Sequence, residues 1–172
     1  ISEAIDKGQI PPIGTGENSA SVFLNIKASE ANDLPLSYTI KAFPISESWS
    51  NGNGNFNDIP ETRLGSSWYN SSGDARGNSA VAWKTGSADS YNDNSVTETI
   101  GGGTWLTGSG FEASQSFQNE SPDIRMDVTD IVQKWVAGDI TNHGFLVKRS
   151  IEEERNGDIL GSLKFFGRES HT

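Results

Sequence analysis

Hydrophobic and polar residues alternate along two stretches near the start of this chain. Residues 21–28 and 36–43 each place an apolar side chain at every second position, which is the period of a half-buried β-strand. The residues between them include Asn32-Asp33-Leu34-Pro35, a composition typical of a turn. The pattern therefore predicts two strands that pair as antiparallel neighbours.

Shorter apolar stretches predict further strands at 80–83, 96–100, 111–117, 143–148 and 162–166. Polar loops separate these strands. The loop at 47–58 is dominated by Gly and Asn, whereas 150–158 is rich in charge and ends in Asn156-Gly157-Asp158. Because such turn residues join paired strands, 150–158 is predicted to be a hairpin loop.

The hydrophobic period changes from two to that of a helix after Val128. The apolar residues that follow lie at helical spacing, namely Ile131, Val132, Trp135 and Val136. Asp127 or Thr129 can cap the start of such a helix, and Gly138 fits its end. The sequence thus predicts one short α-helix at about residues 130–137.

Many short strands, one short helix and long polar turns predict an all-β fold, a jelly-roll-like antiparallel β-sandwich formed as one domain by residues 1–172. Its core is expected to hold Trp135, whose replacement by Ala would cost about 3–5 kcal/mol. The other expected core residues are Val22, Leu24, Ile26, Tyr38, Ile40, Ile131, Val132, Phe145, Val147, Leu163 and Phe165.

Composition and charge narrow the classes of function. Hydrophobic residues make up 33% of the chain and charged residues 21%, so Ser, Asn, Gly and Thr account for the polar excess. The formal net charge of −10 repels phosphate backbones and anionic lipid, so neither nucleic acid nor a membrane is an expected partner. The absence of Cys excludes disulfides, thiolate nucleophiles and Cys-based zinc sites.

Several segments resemble the DNRLRE-type domain and the TGF-β-propeptide-like domains of phage and bacterial surface proteins. These segments are SESWSNGNG from residue 46, LGSSW from 64, MDVTDIVQKWVAGDITNHGFLVKRS from 126 and LKFFGRESHT from 163. The shared features are a strand running into Asp127-Val128-Thr129, a helix with Trp135, the turn Asn142-His143-Gly144 and a strand ending at Lys148. The family's closing "FxSRE" corresponds to Phe166-Gly167-Arg168-Glu169, with Gly167 where the family has Ser.

The resemblance extends over roughly residues 36–172 and implies a jelly-roll sandwich without catalytic residues, acting in assembly, display or adhesion. The ending LKFFGRESHT resembles copies in virion proteins of tailed phages. In the resembling domains a strand precedes the segment that aligns with residues 1–5 and another follows the ending. Because a jelly roll pairs its terminal strands, the chain is expected to be a fragment that lacks a strand at each end.

Catalytic residues are not expected anywhere in the chain. His143 and His171 lie far apart, and no Gly-x-Ser-x-Gly elbow accompanies them. His143 is better explained as part of a turn, and Asp127 as a helix cap. The carboxylates of Glu152, Glu153 and Glu154 are expected to form a solvated face.

No cofactor or metal is required by the sequence, although calcium is conceivable in two loops. Calcium binds carboxylate, amide and backbone oxygens, which the loops offer at Asn55, Asn57 and Asp58 and at Asp89 and Asp93. Neither loop has the spacing of an EF-hand, and the first carries little negative charge. Ordinary turns therefore remain the favoured explanation, and calcium remains the alternative.

Five tryptophans offer a second kind of candidate site, because an exposed aromatic ring can stack on a sugar. The five are Trp49, Trp68, Trp83, Trp105 and Trp135. Trp68 and Tyr69 are adjacent, so one of the two is expected to face water, and this pair is the candidate for sugar stacking. Burial in a core is the alternative for each large aromatic residue.

Two functions are consistent with these observations. The first is a non-enzymatic structural protein of a tailed-phage virion, a decoration, neck, tail or fibre component that contacts other virion proteins in a symmetric assembly. The alternative is a carbohydrate-binding or adhesive module of an extracellular or cell-surface bacterial protein. Both functions suit one fold, so the fold alone does not separate them.

Overall fold

A computed structural model describes residues 2–14, 16–52, 64–67, 70–74, 79–83, 104–118, 122–150, 153 and 161–167. The chain divides into two compact units. Unit 1 comprises Ile1–Ala42, Glu112–Asp139 and Val147–Thr172, and unit 2 comprises Phe43–Phe111 and Ile140–Leu146. The prediction of a single domain remains a prediction.

Short strands dominate the described residues. In chain order the elements are α1 (Ser2–Asp6), β1 (Phe23–Ile26), β2 (Ala28–Asn32), β3 (Ser37–Pro44), β4 (Asn70–Ser72), β5 (Val81–Ala82), β6 (Ala113–Gln118), β7 (Ile124–Asp127), α2 (Thr129–Ala137), β8 (Phe145–Arg149) and β9 (Ser162–Phe165). Within the described ranges no helix is both long enough and apolar enough to cross a membrane. The strand predicted at 96–100 lies outside the described residues.

The strands form several small antiparallel sheets. β1 pairs with β7, β2 with β9 and β4 with β5, while β3 lies between β6 and β8. The prediction of an all-β fold with antiparallel pairing and a short helix near 130–137 is confirmed, and α1 is an additional short helix that the sequence did not predict. The jelly-roll strand order stays a prediction.

The predicted pairing of residues 21–28 with 36–43 is wrong. The first stretch is divided at Lys27 into β1 and β2, which pair with β7 and β9. At the division the Asp123 carboxylate accepts hydrogen bonds from the Ala28 backbone N–H at 2.9 Å and from Lys27 Nζ at 2.7 Å. The carboxylate takes the place of a strand partner, a role that alternation of apolar residues does not reveal.

Residues 150–158 do not join a hairpin, because β8 and β9 belong to different sheets. Ser150 and Glu153 instead form a capping box. The Glu153 N–H donates to Ser150 Oγ at 3.2 Å, and the Ser150 N–H donates to Glu153 Oε2 at 3.3 Å. Glu153 Oε1 also accepts the Thr39 N–H of β3 at 2.8 Å. Glu153 is thus half-buried rather than part of a solvated face.

The helix α2 runs from Thr129 to Ala137, close to the predicted 130–137, and ends at the predicted Gly138. Its N-cap is Val128, which makes no side-chain capping bond, so the predicted cap at Asp127 or Thr129 is wrong. Asp127 Oδ1 accepts the Thr129 N–H at 2.9 Å, directly before the first turn. Gly138 adopts the left-handed conformation with φ 81°, and its N–H bonds to the Trp135 carbonyl. Thr129 Oγ1 in turn accepts the Val22 N–H at 2.9 Å, which fixes the helix start to the segment before β1.

The predicted core is only partly correct. Tyr38, Ile40, Ile131 and Val132 are buried, whereas Val22, Leu24, Ile26, Trp135, Phe145, Val147, Leu163 and Phe165 are half-buried. Trp135 differs because the buried residues of α2 are confined to its first half. We therefore expect its replacement to cost less than a fully buried tryptophan would.

Each unit has its own aromatic contacts. In unit 1, Tyr38 stacks on Phe117 with ring centroids 4.7 Å apart, and burial raises the pKa of the Tyr38 hydroxyl. In unit 2, Trp105 is almost fully buried and packs against Phe43 at 6.0 Å. Trp83 is buried too, and its indole N–H donates to the Ser67 carbonyl at 2.9 Å.

Replacing Ile131 by Ala should lower the free energy of unfolding by about 2–5 kcal/mol, because a side chain that is 1% exposed leaves a cavity. Leu36→Ala is the matched control, since Leu36 in the same unit is 78% exposed and its truncation should change stability by less than about 0.5 kcal/mol. Urea denaturation of both variants measures the difference. Equal losses would contradict the assigned core.

Acid should destabilise unit 1 through Asp123 and Glu30. The hydrogen bond from Lys27, helped by the Ala28 N–H, lowers the pKa of Asp123, and Lys164 likewise lowers the pKa of Glu30. A carboxylate with a lowered pKa contributes stability above its unfolded-state pKa and loses it as the pH falls through the folded-state pKa. Stability should therefore decline below about pH 4.

The variant Asp123→Asn tests this pH dependence, because it keeps an oxygen acceptor for the Ala28 N–H but cannot titrate. Urea denaturation at a series of pH values should show a shallower acid decline for the variant than for the wild type. The difference should shrink at high salt, since exposed ion pairs are screened. Identical slopes would rule out a contribution from Asp123.

Candidate binding surface around Trp49

Trp49 is the most exposed of the four tryptophans that the structure describes. Its side chain is in unit 2 and is 40% exposed, whereas Trp83 and Trp105 are buried and Trp135 is half-buried. The pair favoured by the sequence for sugar stacking, Trp68 and Tyr69, lies outside the described residues. The structure thus directs attention to a different tryptophan.

The indole ring of Trp49 is held by the turn at residues 142–144. Its Nε1–H donates to the His143 carbonyl at 2.7 Å. The turn itself is closed by a hydrogen bond from the Gly144 N–H to Asn142 Oδ1 at 3.0 Å. His143 therefore has a role in a turn, as the sequence predicts, and its backbone oxygen anchors the tryptophan.

The backbone next to Trp49 is fixed on both sides. The Ser50 N–H donates to the Ser71 carbonyl at 2.9 Å, and the Ser50 carbonyl accepts the Ser66 N–H at 2.7 Å. Residues 49–52 thus lie between two neighbouring segments of unit 2. A tryptophan at this position is exposed without being on a free loop.

Gly52 allows these segments to approach closely. Its φ is 75°, and a Cβ atom built on it would lie 2.0 Å from the Leu64 carbonyl oxygen. Gly65 opposite it has φ 132°, with a built Cβ 3.0 Å from the Asn51 carbonyl oxygen. Any side chain at Gly52 would separate the two backbones, so glycine is required there.

Two further exposed apolar side chains of unit 2 lie on backbone segments that are bonded to residues 49–52 directly or through β4. Leu64, whose backbone lies opposite Gly52, is 52% exposed. Val81 is 55% exposed and lies in β5, whose partner β4 contains the Ser71 that binds Ser50. We refer to Trp49, Leu64 and Val81 as the Trp49 surface.

The polar residues of these segments are almost all uncharged. Ser50, Asn51, Ser66 and Ser67 are exposed and supply hydroxyl and amide groups. The nearest carboxylate along the chain, Glu47, is half-buried and accepts a hydrogen bond from the Thr104 hydroxyl at 3.1 Å. The described residues of segments 49–52 and 64–67 therefore offer hydroxyl and amide groups and no charged side chain.

The candidate calcium ligands Asn55, Asn57, Asp58, Asp89 and Asp93 lie outside the described residues, so calcium stays a prediction. Among the residues that the structure does describe, no group of three or more His, Cys, Asp or Glu side chains is placed to hold a metal ion.

A cavity of about 150 Å³ in unit 1 lies at the start of α2, lined by Glu112, Ala113 and residues 127–131. No pattern in the sequence predicts this cavity. Two of its three acidic residues already have partners. Glu112 pairs with Lys41 at 2.9 Å, and Asp127 accepts hydrogen bonds from Thr129. Its acidic lining does not suit an anion.

Comparison with known proteins adds no support to the family resemblance of the sequence. No protein-family model, curated protein or solved structure matches the chain. Functional inference therefore depends on the residues themselves.

Trp49 could have been selected from the sequence by its setting. It lies outside every alternating stretch and is flanked by Ser48 and Ser50, next to a run rich in Gly and Asn. A large aromatic residue without apolar neighbours along the chain has little to recruit it into a core. The Trp68 and Tyr69 candidate lies outside the described residues and stays a prediction.

Replacing Gly52 by Ala should destabilise unit 2 more than replacing Gly144 by Ala. Both glycines have positive φ, 75° and 90°, but only a Cβ on Gly52 meets backbone atoms. We expect about 1–2 kcal/mol of conformational strain for either variant and a further loss from the clash at Gly52. Thermal and urea denaturation measure both, and equal losses would contradict the close approach to Leu64.

Proposed function

We propose that this chain is a non-enzymatic structural component of a tailed-phage virion, acting through surface contacts with other virion proteins in a symmetric assembly. The observation that carries the surface-contact part is the Trp49 surface, three apolar side chains between 40% and 55% exposed on hydrogen-bonded backbone segments. The assignment to a virion is supported by the resemblance of the sequence alone.

Rigidity matters for this proposal because a contact surface loses less entropy when its side chains are fixed before binding. The Trp49 ring is held by the His143 carbonyl, and the adjoining backbone is bonded at Ser50. Aromatic residues are also enriched among those that dominate protein–protein affinity. A fixed, exposed tryptophan is therefore suited to serve as an anchor.

The net charge of −10 favours binding to other proteins over binding to nucleic acid or anionic membranes, which it repels. Acidic copies repel one another at long range, so stable contacts require apolar area that is buried at short range. Symmetry repeats each such contact, which allows a small surface to hold an assembly together.

A carbohydrate-binding or adhesive module of a bacterial surface or secreted protein is the second candidate. The observation that favours it is again Trp49, since a single exposed aromatic ring among Ser and Asn side chains is suited to a sugar. The two candidates differ in what covers this ring, a protein surface or a glycan.

Size-exclusion chromatography with light scattering, native mass spectrometry and negative-stain microscopy of the purified chain test the proposed assembly. We expect a symmetric oligomer that Val81→Lys disperses, because a charge would be buried in the contact. Leu36→Lys is the matched control, since Leu36 is exposed in unit 1 and outside the Trp49 surface.

The affinity of self-association should fall by at least about tenfold for Val81→Lys and remain unchanged for Leu36→Lys. A chain that stays monomeric at every concentration, or an oligomer that both lysine variants leave intact, would contradict assembly through this surface. A monomer that binds a glycan would favour the second candidate.

A further inference from the structure

Two strand pairs of unit 1 present their outward positions in one series. β1 pairs with β7 and β2 with β9, and the chain passes from the first pair to the second at Lys27. The Phe166 N–H donates to the Lys27 carbonyl at 3.0 Å, so the pairing of β9 continues to the end of β1. Along β7 and β9 exposed residues alternate with buried or half-buried ones, which defines the outward face of each pair.

The charged residues of this outward face balance one another. Together with two phenylalanines they form what we call the Arg125 face, which consists of Lys27, Arg125, Lys164, Glu30, Asp123, Asp127, Phe23 and Phe166. The chain has 13 basic and 23 acidic residues, so the three of each sign on this face leave 10 basic and 20 acidic residues elsewhere. The rest of the chain therefore carries the whole net charge of −10, and a second copy meets no net repulsion from this face.

Arg125 is positioned by an aromatic ring and not by a carboxylate. Its guanidinium carbon lies 3.8 Å from the centroid of the Phe23 ring, and among the residues described no carboxylate forms an ion pair with it. Both lysines of the face, by contrast, already have a carboxylate partner. Contact with a ring does not use the guanidinium N–H groups as donors to oxygen, so exposed Arg125 can still bind a carboxylate in a bidentate manner.

An exposed aromatic ring accompanies this arginine. Phe166 is 48% exposed, and the register of β9 places it opposite Lys27 on the same face. Lys27 is two residues beyond Asn25, the registered partner of Arg125, and two residues of a strand span about 7 Å. One partner surface can therefore contact the ring and the guanidinium together. Arginine and aromatic residues are the types that most often dominate protein–protein affinity.

We propose that the Arg125 face is a contact between two copies of this chain related by a two-fold axis, in which Arg125 of each copy binds a carboxylate of the other and Phe166 is buried. A two-fold contact joins a surface to itself, so it requires charges of both signs that balance on that surface. The Arg125 face meets this requirement. The inference goes beyond the proposed function, because it adds a contact in unit 1 that does not involve the Trp49 surface.

The Val81→Lys variant isolates this contact, because it removes association through the Trp49 surface. Sedimentation velocity of this variant should show a dimer that forms as the protein concentration rises to about 1 mM. Adding Arg125→Glu should weaken the dimer by at least about tenfold, since it places like charges in the contact. Adding Lys7→Glu is the matched control. It changes the net charge equally, at an exposed lysine outside the Arg125 face, and should leave the dimer unchanged.

A second pair of variants tests the apolar part of the contact. Phe166→Ser in the Val81→Lys background should also weaken the dimer, whereas Leu36→Ser, at another exposed apolar residue of unit 1, should not. Near-ultraviolet circular dichroism and thermal melts establish that each variant is folded. If Arg125→Glu unfolds, the comparison of Phe166→Ser with Leu36→Ser decides the question.

A Val81→Lys variant that stays monomeric, or equal weakening by Arg125→Glu and Lys7→Glu, would overturn the proposal. The first of these outcomes leaves assembly through the Trp49 surface intact. Conversely, a dimer that Val81→Lys does not affect and Arg125→Glu disperses would support the Arg125 face and contradict the Trp49 surface. The two proposals can therefore fail separately.

Discussion

A backbone N–H group that is withdrawn from water has to find an acceptor, and in unit 1 side chains from distant positions supply several of them. Asp123 accepts from Ala28, Glu153 accepts from Thr39, and Thr129 accepts from Val22. The bonds to Asp123 and Thr129 lie where β2 and β1 begin, and the bond to Glu153 is made by the third residue of β3. The carboxylates and hydroxyls thus hold together strands that are too short to satisfy one another fully.

This arrangement follows from the composition. With 33% hydrophobic residues, the chain has limited apolar area to bury, and its sheets are small and separately paired. The core is accordingly concentrated in a few residues, such as Ile124, Met126 and Ile131 in unit 1. Polar side chains that accept backbone hydrogen bonds add specificity, because an unsatisfied buried donor is costly in any competing arrangement.

In unit 2 close backbone contact has a comparable role, and it leaves a large aromatic side chain on the outside. Because Gly52 and Gly65 have no side chains, the backbones at 51–52 and 64–65 lie close together. Ser50 is hydrogen-bonded through its N–H to Ser71 and through its carbonyl to Ser66. Trp49 is fixed by the same structure and yet exposed. The proposed surface contacts depend on this exposed and oriented ring.

The sequence by itself determined those features that depend on local chemistry. The alternation of Tyr38 and Ile40, the change of period after Val128 and the glycine at 138 each act within a few residues, and β3, α2 and the end of α2 lie where these signals predict. Partner choice was decided only by the tertiary structure, because alternation states which face is buried and not which strand lies beside it. The Ser-x-x-Glu spacing of a capping box is visible in the sequence at Ser150 and Glu153. The hydrogen bond that the Thr39 N–H donates to Glu153, however, joins residues 114 positions apart. The hydrogen bond from the Trp49 indole to the His143 carbonyl likewise joins residues 94 positions apart, a contact that no local pattern encodes.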